Sequence, residues 1–62
     1  MYDVLYLDQL SNWKLLASGL NKESAAEVAR VEARRRHVGR MFLTGSASMP
    51  RSHAVVVIRS GP

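Results

Sequence analysis

The 62-residue chain has no cysteine, so neither a disulfide framework nor the common thiolate zinc site can supplement a core that is marginal at this length. Self-association remains as the means of enlarging it. No run approaches the about eighteen apolar residues of a membrane-spanning helix. The first residues carry Asp3 and Asp8 where a secretory leader needs a basic stretch and an apolar core. A soluble, cytoplasmic protein with a single domain over 1–62 is therefore expected, with no membrane partner.

Glycine is sparse and isolated, at Gly19, Gly39, Gly45 and Gly61. That excludes a dinucleotide fingerprint and a phosphate-cradling loop ending in Gly-Lys-Ser/Thr. A nucleophile elbow is missing as well. Ser46, Ser48 and Ser52 share a loop with His53, but a chain this short has little material for an oxyanion hole and a substrate cleft. His37 and His53 have no carboxylate or cysteine near them in sequence, so no metal site is expected. The expectation is a protein that is not an enzyme, with no cofactor and no small-molecule substrate.

Acid is missing from the entire second half. Up to Glu32 the chain has five acids against Lys14, Lys22 and Arg30; beyond it stand Arg34, Arg35, Arg36, Arg40, Arg51 and Arg59 with no acid at all. Such asymmetry points to an anionic partner, although arginines at a helix end also complement the helix dipole. Arg30, Arg34, Arg35, Arg36, Arg40 and Arg51 are the candidate anion-binding residues. Direct nucleic-acid binding by these arginines and the 45–53 loop is the alternative function. Against it, three consecutive helical residues spread over about 200° and cannot all face one groove, and one helix cannot make a helix-turn-helix. Aromatics are also few: Tyr2, Tyr6, Trp13 and Phe42 do not form the ring-bearing motif of an RNA-binding strand.

What the chain does hold is four extended segments and one helical one. Tyr2 to Leu7 and Trp13 to Ser18 are rich in β-branched, aromatic and aliphatic residues and read as a hairpin, with Gly19 as the break. Asn21 is placed as an N-cap for a helix over 22 to about 37, with Glu23 near its positive end, arginines near its negative end and Gly39 as the stop. Ala25, Ala26, Ala29 and Ala33 fall in one quadrant, and Glu27–Arg30 and Glu32–Arg36 are spaced for weak pairs. Arg40 to Thr44 and Ala54 to Ile58 complete a ββαββ order: an α+β domain with one helix packed on a mostly antiparallel sheet.

The strands do not alternate. Val4 and Tyr6 oppose Leu5 and Leu7, Leu15 opposes Leu16, and Val55 and Val57 oppose Val56 and Ile58. Such runs suit strands covered on both faces, yet one helix covers one face only. A spare apolar face is therefore expected, with Trp13, Phe42, Val55, Val56 and Val57 as its interface residues. Burying it by forming a homodimer or by docking on a larger protein or nucleoprotein complex is the expected function. In size and layout the chain is similar to many small proteins of bacteria, phages and mobile elements, some of which act as inhibitors by docking on larger host complexes; the likeness includes no residue motif.

Overall fold

A computed structural model describes residues 1–39, 41–42 and 53–59. The elements are β1 (Tyr2–Leu7), β2 (Trp13–Leu20), α1 (Lys22–Arg35), β3 (Met41–Phe42) and β4 (Ala54–Arg59), in the α+β arrangement expected. They form a sheet of order β2-β1-β4-β3 with α1 against it. β1 pairs antiparallel with both β2 and β4, and β3 runs parallel to β4. Two parallel neighbours cannot be closed by a tight turn, and the separation of Phe42 from Ala54 in sequence reflects that. Arg40, Leu43, Thr44 and most of the 45–53 loop lie outside the described residues.

The β1–β2 connection is a three-residue hairpin loop. Ser11 N–H donates to Asp8 O at 3.0 Å, Asp8 N–H donates to Asn12 O at 3.0 Å, and Ser11 takes the left-handed conformation at φ 64°. This is a type I turn followed by a left-handed residue, whose twist suits the strands it joins. β2 does not stop before Gly19. Two register shifts interrupt its pairing with β1, between Val4 and Leu5 and between Tyr2 and Val4, and the strand continues to Leu20. The first makes room for Leu16 beside Ala17, so both pack toward the core. At the second, Gly19 absorbs the extra residue at φ 67°, a conformation that glycine adopts without a side-chain clash.

Asn21 caps α1 as its sequence indicates: its side-chain oxygen accepts from Ser24 N–H at 2.8 Å, and its carbonyl accepts from Ala25 N–H at 2.9 Å. The other end corrects the expected stop. α1 ends at Arg35, and the left-handed residue after the cap is His37, at φ 55°, not Gly39. Val38 N–H reaches Ala33 O at 2.8 Å and His37 N–H reaches Arg34 O at 3.2 Å, the paired bonds of a Schellman ending. The reason lies in the apolar contact that accompanies this motif. Placing the turn at His37 brings Val38 into the core beside Ala33, and both are buried.

That core is thin and built of small side chains. Ala25, Ala29 and Ala33 meet Val4, Val55 and Val57 across the helix–sheet seam, with Val38 closing one end. Tyr2, Tyr6, Leu16, Ala17, Leu20 and Val28 pack around it, half-buried. Alanines allow the helix backbone to lie close to the sheet, and close packing leaves little room for a larger group at the fully buried Ala25. Ala26, by contrast, is exposed. Ala25→Leu is therefore expected to lower stability by about 1–3 kcal/mol, while Ala26→Leu leaves it nearly unchanged; thermal unfolding followed by circular dichroism reads both. In the same measurement His37→Gly should raise stability by about 1 kcal/mol by relieving the left-handed strain.

Candidate interaction surface

Register assigns each strand residue to a face. Val4 and Tyr6 lie opposite Val57 and Val55, and all four contribute to or pack on the helix-side core. Asp3, Leu5, Leu7, Val56, Ala54 and Ile58 therefore share the face turned away from α1, with Asp3 opposite Ile58. Leu15 and Trp13, paired with Leu5 and Leu7, join them. On this face Leu7, Ala54 and Val56 are buried, Leu5 is half-buried, and Trp13, Leu15 and Ile58 are 48%, 62% and 37% exposed. The exposed apolar part is thus an arc at the β2 side of the sheet, running on to Ile58.

The five expected interface residues separate accordingly. Val55 and Val57 are core residues beneath α1, and Val56 is buried on the opposite face; none is more than 4% exposed. Trp13 is the one that stands open. Phe42 lies in β3 beside Val56, and its side chain is outside the description. Leu15 and Ile58 complete the arc, and they were missed as interface residues because the sequence does not show which strand is the outer one. Leu10, 82% exposed at the hairpin tip, lies next to it in the chain.

Most of the described arginines are paired within their own helix. Arg30 pairs with Glu27, Arg36 with Glu32, and Arg35 reaches Glu32 at 3.4 Å, so three of the four described candidates face carboxylates of their own helix. Arg36 is also half-buried, its guanidinium carbon 5.3 Å from the centre of the Tyr6 ring, in cation–π contact. Arg34 is exposed. Arg40 and Arg51 lie outside the described residues. Arg30 also lines an open groove of about 260 Å³ with Ala26, Ala29 and Met41, whose walls are otherwise apolar.

Arg36 leads to a polar node that the sequence conceals. Tyr6 and His53, 47 positions apart, meet edge to face at 6.2 Å, with the Tyr6 hydroxyl 3.2 Å from His53 Nδ1. His53 Nε2 lies 3.4 Å from the His37 carbonyl, and His53 N–H donates to Asp8 O at 3.3 Å. One tautomer satisfies the ring: Nε2–H donates to the carbonyl while Nδ1 accepts from the tyrosine. The node thereby ties the helix end, β1, the start of β4 and the hairpin turn together. Ser46, Ser48 and Ser52 lie outside the described residues, and among those residues no three metal-binding side chains converge. No helix of the described residues is long and apolar enough to cross a membrane.

Asp8 organises the turn from its side chain as well as its backbone. Its Oδ1 accepts from both Leu10 N–H and Asn12 N–H at 2.8 Å. The Asn12 amide bond, with further help from Leu10 and the Lys14 charge, holds its carboxyl below the ordinary value of 3.8. No protein-family model, curated protein or solved structure matches the chain. Because the folded-state value is depressed, the contribution of Asp8 to stability is complete above about pH 3.8 and is lost as pH falls through the lowered value. Asp8→Ala should therefore melt below the parent at neutral pH, and the gap between the two melting temperatures should close on acidification.

Proposed function

We propose that the chain is a non-catalytic interaction module that docks on a larger protein through the arc of Trp13, Leu15 and Ile58. The observation that carries this reading is the position of the chain's one tryptophan, 48% exposed on a face the helix does not cover, beside a leucine that is 62% exposed. Tryptophan is the side chain most enriched at binding hot spots, and here nothing local explains its exposure. A second copy is the lesser form of the same reading. Three partly exposed side chains supply far less than the about 800 Å² per partner of a standard interface, so a larger protein that also grips the surrounding surface suits them better.

The observed pairing counts against the nucleic-acid reading. Arg30, Arg35 and Arg36 are engaged by Glu27 and Glu32, which set negative charge within the same strip. The sign of the second half still favours a partner whose surface is acidic near the docking site.

Affinity capture from a host lysate at about 0.1 M and about 0.5 M salt tests the proposal, since phosphate contacts weaken steeply with salt and apolar ones do not. Retained protein should persist at the higher salt and be lost with Trp13→Ser combined with Leu15→Ser. Retention of nucleic acid instead, sensitive to salt and lost with Arg34→Ala and Arg35→Ala, would overturn it. Light scattering of the pure protein identifies the partner as a second copy if a dimer forms and the same serine variant dissociates it.

A further inference from the structure

β2 is the outer strand of the sheet on the side away from β3. The hairpin turn determines which of its backbone groups are free. Asp8 and Asn12 are bonded through Asp8 N–H and Asn12 O, and antiparallel partners alternate between bonded and non-bonded pairs. Leu7 with Trp13 and Leu5 with Leu15 are then non-bonded pairs, and Tyr6 with Lys14 is a bonded one. The amide and carbonyl groups of Trp13 and Leu15 therefore point out of the sheet, while those of Lys14 are spent on Tyr6. The two residues with open backbone groups are also the two with open apolar side chains.

The window is short and selective. The bulge at Leu16 and Ala17 ends the regular edge, which protects the strand from indiscriminate pairing. A second copy fits poorly: a two-fold pairing that bonds Trp13 to the other copy's Leu15 sets Lys14 against Lys14 at a non-bonded position, where facing side chains are closest. An acidic side chain at that place meets Lys14 favourably. Lys14 is exposed; its charge acts on Asp8, but it forms no close ion pair among the described residues.

Resting on the docking reading above, we infer that the partner contributes an extended segment that adds antiparallel to β2. Its apolar side chains cover Trp13 and Leu15, and an Asp or Glu stands opposite Lys14. Main-chain bonds supply part of the attraction and the alternating side chains supply the choice of sequence.

The probe is a synthetic peptide, acetyl-Thr-Val-Glu-Val-Thr-amide, titrated to millimolar concentration into the isotope-labelled full chain and followed by NMR, with a second peptide in which Lys replaces Glu. Amide exchange should slow at Trp13 and Leu15 and stay unchanged at Lys14. The Glu peptide should bind roughly fivefold tighter than the Lys peptide, and Lys14→Glu should invert that preference while leaving the circular dichroism spectrum intact. Shifts at the Trp13, Leu15 and Ile58 side chains without slowed amides would overturn strand addition and leave the docking reading standing. Absence of any shift, or equal binding of the two peptides, would also overturn strand addition; the serine variants in the lysate capture judge the docking reading separately.

Discussion

The contact on which everything else depends is the seam between three alanines of α1 and three valines of the sheet. Ala25, Ala29 and Ala33 lie on Val4, Val55 and Val57, and Val38 closes one end of that close approach. A seam of small side chains fills a narrow space densely but removes little apolar surface per residue. With no disulfide to assist, the chain depends on cheap local order to limit what the seam must stabilise: a side-chain N-cap, a Schellman ending and a turn organised by one aspartate. The Glu27–Arg30 pair on α1 is exposed and adds little, whereas the Glu32–Arg36 pair is part-buried.

The same seam explains why the molecule has two unlike faces. A single helix shields Val4, Tyr6, Val55 and Val57, and the opposite face carries Leu5, Leu15, Trp13 and Ile58 with no helix to cover them. Charge follows its own division. Glu27 and Glu32 engage Arg30, Arg35 and Arg36 on α1, while Lys14 on β2 acts on Asp8 without a close ion pair among the described residues. The apolar arc and this lysine are brought together by one strand, which is why β2 is the element most open to a partner.

Local signals were legible in the residues. β1 has the bounds its composition implies, Asn21 caps the helix it was placed to cap, and Glu27–Arg30 and Glu32–Arg36 form as their spacing allows. What could not be read depends on partners distant in sequence. Nothing local says that β4 lies between β1 and β3, or that β3 is parallel to it, and so nothing local distinguishes Val56, which is buried, from Trp13, which is not. Gly39 looked like the helix stop because glycine tolerates a left-handed turn without strain. His37 accepts that strain because Val38 then reaches the core, a gain visible only once the sheet is present. The meeting of Tyr6 with His53 belongs to the same class: two ordinary residues made neighbours by the pairing of β1 with β4.

Strand order also sets the timing of assembly on the ribosome. β1 is flanked by its neighbour in sequence, β2, and by β4, whose paired residues follow 47 to 57 positions later, from Leu7 with Ala54 to Tyr2 with Arg59. At about 5–20 residues per second, that interval takes roughly 2–11 s. Throughout it the first hairpin has one edge unmatched and offers the helix alanines only Val4 of the three valines they meet in the finished fold, and an isolated hairpin is at best marginally stable in water. Over that span the hairpin rests on its own pairing and on the Asp8 turn, with the strand that completes its second edge still to come.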